Sequence, residues 1–209
     1  MLRSSRVLVA VAALLFAAAY VLPLWRVDLV APQYPEGLGL RIWAHQIIGA
    51  RPQDLNSINN LNHYIGMRRI EPDDIPELRL MPWLIGAMIA GGLVTAVAGR
   101  RWLLVSWVTA VTAGAAVGLA DFWKWGYDYG HHLDPEAAIK IPGMTYQPPL
   151  IGTKQLLNFY ATSWPDIAGW LAIAAVLLGF GVMVRELRRG RTVSASRPAP
   201  ARPAQEQLA

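Results

Sequence analysis

The chain has 209 residues, of which 54% are hydrophobic and only 16% are charged, and its net charge is +5. The basic residues cluster beside apolar stretches, which argues for a membrane orientation signal and against nucleic acid as a partner. The absence of cysteine excludes disulfides, thiolate metal sites and lipidation through cysteine.

Four apolar stretches predict transmembrane helices. They cover residues 7–24, 81–99, 102–120 and 167–184, and each approaches the roughly 20 residues that cross a hydrocarbon layer as a helix. None shows the polar stripe of a helix that faces water. The predicted segments are an N-terminal anchor (1–25), a first loop (26–80), a transmembrane hairpin (81–120), a second loop (121–166), a fourth transmembrane helix (167–184) and a tail (185–209) that is basic and then disordered.

Arginine positions predict how these helices are oriented. Arginines precede the first helix, connect the second to the third and follow the fourth: Arg3, Arg6, Arg100, Arg101, Arg185, Arg188, Arg189 and Arg191. The positive-inside rule places both termini in the cytoplasm and both loops outside the bacterial inner membrane. Residues 1–25 also resemble a cleavable signal peptide, but their apolar stretch exceeds a signal core of ~7–15 residues, so we expect a retained anchor.

The first loop contains one predicted helix and a weaker strand signal. Apolar residues alternate with others over 38–42, which is typical of a strand. Asp54 is a candidate N-cap for a helix that runs to about Ile65, with Gly66 as its stop. The polar side of that helix carries Asn56, Asn59, Asn60 and His63. Met67 follows one turn later, and we expect both to face one ion only if the helix continues through Gly66.

The second loop opens with an aromatic cluster, which consists of Phe122, Trp123, Trp125, Tyr127 and Tyr129. Aromatic side chains gather where a helix leaves the membrane, so an interfacial belt explains the cluster. An alternative is that these rings line a site for a quinone, a haem edge or a partner protein. The sequence leaves both interpretations open.

Side chains suited to copper occur in both loops. Imidazole and thioether groups are soft ligands that suit copper(I), and the predicted metal ligands are His63, Met67, His131, His132 and Met144. His45 is a weaker candidate. The alternative is that these histidines anchor loops through hydrogen bonds. Aspartates at 121–134 offer acid–base groups, but no recognisable nucleophile or phosphate-binding loop accompanies them, so we do not expect an enzyme.

Four strings of residues carry a resemblance to known proteins: YPEGL at 34–38, LNHYIGM at 61–67, DFWKWGYDYGH at 121–131 and PPLIG at 148–152. Over residues 32–165 the chain resembles small bacterial multi-span membrane proteins associated with copper handling and nitrous oxide reductase accessory systems. The resemblance implies a periplasm-facing factor for metal delivery or assembly, with His63, Met67, His131 and His132 as candidate ligands.

The sequence therefore predicts an all-α integral membrane protein with four transmembrane helices and a small extracytoplasmic cap formed by the two loops. Its expected function is non-enzymatic: the delivery of copper to a respiratory metalloenzyme outside the cytoplasm, or assembly of that enzyme. The expected partners are the lipid bilayer and a membrane or periplasmic metalloprotein client. The alternatives are a structural subunit of a larger membrane complex without bound metal and, less favoured, a membrane enzyme that uses residues 121–134.

Overall fold

The computed structural model describes residues 1–195 of the chain, with side chains as far as residue 189. The helices in this part are α1 (Arg3–Leu15), α2 (Asp54–Ile65), α3 (Glu77–Ala98), α4 (Arg101–His131) and α5 (Ile167–Ala195). The strands are β1 (Trp25–Ala31), β2 (Tyr34–Ile42), β3 (Ile47–Gly49), β4 (Gly152–Leu156) and β5 (Phe159–Pro165). A 3-10 segment, Phe16–Tyr20, extends α1, and another, Pro72–Asp74, precedes α3. The disorder predicted for the end of the tail lies outside the described residues.

Four long helices form a bundle. By length and composition, four helical segments in the described part of the chain are apolar enough to cross a membrane: Arg3–Tyr20, Glu77–Ala98, Arg101–His131 and Ile167–Arg189. Helices α1 and α4 each contact both α3 and α5, so the four helices close into a ring. These helices overlap the four apolar stretches of the sequence, although the first helical segment ends at Tyr20 and leaves out residues 21–24.

Small residues bring the helices of the bundle close together. A Cβ atom on Gly92 of α3 would lie 2.5 Å from the Cβ of Ala13 and 2.9 Å from the Trp107 ring, so the helix backbone itself fills this space. The Trp107 indole N–H of α4 donates a 2.8 Å hydrogen bond to the Met88 carbonyl oxygen. Close backbone approach is the usual basis of helix packing in lipid, where burying apolar groups gains little.

The prediction of an all-α protein is wrong, because the two loops build a five-stranded antiparallel sheet. Its strand order is β3-β2-β1-β5-β4, with the first three strands from the first loop and the last two from the second. Strands β1 and β5 pair at its centre, from Trp25 opposite Pro165 to Val30 opposite Tyr160. The weak strand signal over 38–42 is confirmed as part of β2, whose partners β1 and β3 adjoin it in sequence. The two central strands, β1 and β5, lie far apart in sequence.

The pairing of β1 with β5 places both loops at the same end of the bundle, because β1 follows the first apolar helix and β5 leads directly into α5. In the structure the cap consists of residues 25–76 and 121–166. Its core lacks the many alanines of the bundle core and is built from branched aliphatic side chains, together with Leu78 from the first turn of α3: Val27, Leu38, Leu40, Ile47, Ile58, Ile70 and Ile75.

Helix α2 lies on the sheet and matches its sequence prediction at the C-terminal end. It stops at Gly66, whose φ of +79° is left-handed and favours glycine. Asp54 does not cap the helix as predicted. Its buried carboxylate instead accepts hydrogen bonds from the backbone N–H groups of Gly39, at 2.9 Å, and Arg51, at 3.2 Å. This carboxylate therefore ties the start of α2 to β2.

Helix α4 continues beyond its apolar stretch and enters the cap. Its last turns contain polar residues, among them Lys124 and Asp128, whose charged groups are 2.6 Å apart. The aromatic rings of the same turns pack against the core of the cap: Phe122, Trp125 and Tyr129. One helix thus belongs to both regions of the molecule.

Candidate functional site

A polar depression on the outer side of α2 contains two of the predicted metal ligands. It has a volume of about 320 Å³ and is lined by Asn59, Asn60, His63, Met67 and Arg69. His63 is exposed, whereas Met67 is half-buried. The two candidate ligands therefore border the same solvent-accessible space.

From the sequence, we expected His63 and Met67 to face one ion only if α2 continued through Gly66. The helix ends before Gly66, yet both residues line the depression. Helix α2 does not continue through Gly66, because the chain turns there into the left-handed region. The Met67 N–H then donates a 2.9 Å hydrogen bond back to the Asn62 carbonyl oxygen. This bond holds the residue after the helix against its last turn, so that Met67 reaches the depression from outside the helix.

The floor of the depression is held by a buried amide. The Asn59 side chain accepts a hydrogen bond from the Ile70 N–H at 2.7 Å and donates one to the Ile70 carbonyl oxygen at 3.1 Å. Next to this pair, the exposed Arg69 guanidinium forms an ion pair with Glu71 at 2.5 Å. The carboxylate offsets the positive charge that Arg69 would otherwise present to a bound cation.

His131 and His132 lie at the end of α4, and neither lines the depression. Their Nδ1 atoms are 3.0 Å and 3.2 Å from the carbonyl oxygens of Tyr127 and Asp128. A carbonyl oxygen only accepts, so each Nδ1 carries a proton when this bond is made, and in the neutral ring the lone pair is then on Nε2. That is the tautomer of many metal-binding histidines, whose second nitrogen donates to a carbonyl.

The second loop does approach the end of α2. The Asp134 N–H donates a 2.8 Å hydrogen bond to the Gly66 carbonyl oxygen, and the Ile139 N–H donates one of 2.9 Å to the Tyr64 carbonyl oxygen. Even so, the described residues contain no cluster of three or more histidine, aspartate or glutamate side chains arranged to hold a metal ion. The structure brings together His63 and Met67 and does not complete a closed coordination shell around them.

The remaining candidates lie elsewhere in the cap. Met144 is half-buried in the irregular segment between α4 and β4, where its N–H bonds to the Ile141 carbonyl oxygen. His45 is exposed in the turn between β2 and β3, with its ring 6.1 Å from that of Trp43. Neither residue lines the depression.

The aromatic cluster of α4 divides into an outer stack and an inner wall. On the outside, the Tyr127 ring stacks on Trp123 at 5.5 Å and on His131 at 3.8 Å. On the inside, Trp125 and Tyr129 stack at 3.9 Å and border an apolar cavity of about 100 Å³ beneath the sheet. An interfacial belt alone does not account for rings that line a cavity.

Sequence reasoning missed several residues of these two sites. Asn59 and Asn60 share a helix side with His63, so their helical spacing did indicate a common surface. Arg69 follows the turn at Gly66, and Tyr146 lies in an irregular segment beside Pro148, so no periodic pattern places either one.

Comparison with models of known protein families and with curated proteins finds no match for this chain.

Proposed function

We propose that the protein is a membrane-anchored, non-enzymatic accessory factor that handles copper(I) on an extracytoplasmic cap and passes it to a metalloenzyme client. The observation that carries this proposal is the shared depression of His63 and Met67. The thioether of Met67 is a soft ligand and the imidazole of His63 a borderline one, and this uncharged pair suits copper(I) better than hard divalent cations.

The openness of the site favours transfer over permanent storage. His63 and Met67 provide two ligands at an exposed surface, and a client that supplies further ligands would draw the ion away by exchange. With two neutral ligands, the bound copper(I) keeps a net charge of +1. The Arg69–Glu71 ion pair has no net charge, so it does not repel the bound ion. His131 and His132, with free Nε2 atoms, are candidate ligands for a second position on the same cap.

Copper(I) competition titrations on the full-length protein in detergent test this proposal. We expect His63→Ala and Met67→Leu each to weaken copper(I) affinity at least tenfold, because each removes one of two ligands. His45→Ala is the matched control, since it removes an exposed histidine of the same cap from outside the depression. Equal affinity in all four proteins would reject the metal site. Stable co-purification with a large membrane complex, unchanged by the substitutions, would then favour a structural subunit.

Membrane orientation has an independent test, because the chain contains no cysteine and every introduced cysteine is therefore unique. We expect Asn60→Cys and Lys154→Cys to react with a membrane-impermeant thiol reagent added outside intact cells. Arg100→Cys, between α3 and α4, should react only after the membrane is opened. Labelling of Asn60→Cys and Lys154→Cys from opposite sides would contradict the proposed topology.

A further inference from the structure

Helix α4 stands apart from the rest of the bundle in the part of its apolar stretch that is nearest the cap. Every residue from 115 to 121 is exposed, and because this stretch makes about two helical turns, all sides of α4 are uncovered there. Before this stretch, Trp107 and Val111 are buried within the bundle. After it, the Phe122 ring packs on Trp25 with the ring centroids 5.4 Å apart. A gap therefore lies between two regions in which α4 is packed.

The gap opens between α3 and α4. A Cβ atom on Gly114 would lie 2.7 Å from the Met88 Cε of α3, whereas a Cβ atom on Gly118, one turn nearer the cap, would meet no atom within 4 Å. Leu84 of α3, one turn nearer the cap than Met88, is 44% exposed. Residues four apart share a side of a helix. The contact of Met88 with Gly114 therefore closes one end of an uncovered apolar groove that continues past Leu84 and Gly118.

Pro82 gives a physical reason why α3 departs from α4 at this level. It lies inside α3, two residues from Leu84, and a proline inside a helix removes a backbone hydrogen bond and bends the helix. The Tyr20 hydroxyl donates a 2.6 Å hydrogen bond to the Pro82 carbonyl oxygen. This bond holds the same turn of α3 against the first helical segment of the bundle, so the groove is built into the fold.

Two carboxylates stand at the end of the groove that is nearest the cap. Glu77 begins α3, Asp121 lies three residues beyond Gly118 on α4, and their negative charges are close enough to repel each other. Both are exposed, and neither forms a hydrogen bond or an ion pair with any residue that the structure describes. The Lys124 ammonium also acts on Asp121, but it is paired with Asp128 at 2.6 Å. Apolar walls with a negative rim are complementary to an apolar chain that carries a cationic group.

We propose that this groove binds an aminophospholipid such as phosphatidylethanolamine, with one acyl chain between α3 and α4 and the headgroup ammonium at Glu77 and Asp121. The length of the groove favours a lipid over a transmembrane helix of a partner. From Gly114 to Asp121 the helix rises by about 10 Å, which lies within the ~15 Å depth of one leaflet. A partner helix that crosses the full ~30 Å would extend well past the closed end of the groove at Met88.

This inference goes beyond the copper proposal and shares only its membrane orientation, which decides which leaflet supplies the lipid. The choice of lipid depends on the groove and its rim alone. His63→Ala should therefore retain the lipid normally, so a failure of copper binding and a failure of lipid binding are distinguishable.

Native mass spectrometry of the full-length protein in detergent tests the choice of headgroup. The protein is equilibrated with equal amounts of palmitoyl-oleoyl phosphatidylethanolamine and of phosphatidylglycerol with the same acyl chains. We expect a roughly three- to tenfold preference for phosphatidylethanolamine, because each exposed carboxylate adds a modest attraction for the ammonium. The double variant Glu77→Gln, Asp121→Asn should lose this preference. Glu36→Gln, which alters an exposed carboxylate of β2, is the matched control and should keep it.

Gly118→Phe tests the acyl chain separately from the headgroup. The added ring occupies the open space beside Gly118, so we expect the retention of both lipids to fall severalfold. Gly181→Phe on α5 is the matched control, because a Cβ atom there also meets no atom within 4 Å. This second variant should retain lipid as the unaltered protein does.

Three outcomes would overturn the proposal. The first is equal retention of the two lipids by the unaltered protein, or a preference that survives in the double variant. The second is equal lipid retention in Gly118→Phe and Gly181→Phe, which would mean that lipid covers the bundle without entering the groove. The third is a dimer that Gly118→Phe alone dissociates, which would show that a second copy of the chain fills the groove. Should Gly118→Phe not fold, the double variant still decides the result.

Discussion

The bundle and the cap reach a packed interior by different means. The core of the bundle is rich in alanine, with Gly92 at a close contact, while many of its large side chains point outward, as at Val97 and Leu177. The core of the cap consists instead of branched aliphatic residues. This contrast is expected if lipid surrounds one region and water the other, because hydrophobic burial drives packing only in water.

The two regions also differ in where their chain segments come from. The bundle is built from helices that each satisfy their own backbone hydrogen bonds. The cap depends on β1 and β5, which belong to different loops and stabilise each other only when both are present. The cap should therefore be the more fragile region, and its loss should leave the bundle in place.

Ala161→Pro gives the sharpest test of this difference. Ala161 is fully buried in β5 between Leu29 of β1 and Lys154 of β4, so proline removes a ladder hydrogen bond from a central strand. We expect the free energy of unfolding of the cap to fall by about 3 kcal/mol or more. Hydrogen exchange should accelerate in the strands and stay slow in the bundle, whereas Tyr160→Ala at the exposed neighbour should change little. Simultaneous loss of protection in both regions would show that they fold as one unit.

Asn59→Ala should have the next largest effect, again within the cap. The substitution leaves both the N–H and the carbonyl oxygen of Ile70 without their buried partner, at an expected cost of about 3 kcal/mol. Asn60→Ala, at the exposed position beside it, is the matched control. Denaturant titration that finds the two variants equally stable would mean that water replaces the Asn59 amide.

Gly92→Ala tests the packing of the bundle in place of the cap. The added methyl group meets Ala13 and Trp107 at distances that require the helices to move apart, so we expect a loss of about 2 kcal/mol. Gly118→Ala on α4 meets no atom within 4 Å and should be neutral or slightly stabilising. Unfolding in mixed detergent micelles measures both, and equal stability would contradict the close helix contact.

Trp107→Phe should have the smallest effect. It removes the indole N–H that donates to the Met88 carbonyl oxygen, which costs about 1 kcal/mol, and it also removes ring atoms that pack on Gly92 and Gly179, so we expect a total loss of between about 1 and 2 kcal/mol. Trp170→Phe on the exposed side of α5 is the control. A loss above that of Gly92→Ala would imply that the Trp107 side chain, more than the close approach at Gly92, holds the bundle together.

Part of the candidate site was accessible from the sequence. The helical spacing of α2 placed Asn59, Asn60 and His63 on one side, and the glycine after Ile65 correctly indicated where the helix ends. The position of Met67 was not accessible, because it depends on the path of the chain after a left-handed residue. Tyr146 was also beyond sequence reasoning, since its burial results from the contact of Gly130 with Gln147.

The sequence by itself determined the apolar helices and the separation of apolar from polar segments, because length, hydropathy and charge act locally along the chain. It did not determine the sheet. Strands β1 and β5 are separated by most of the chain, so no local pattern contains their pairing, although β1 also pairs with its sequence neighbour β2 and β5 with its sequence neighbour β4. Tertiary structure alone decided that the two loops join in one sheet, that His63 and Met67 share a depression, and that an apolar cavity lies beneath the sheet.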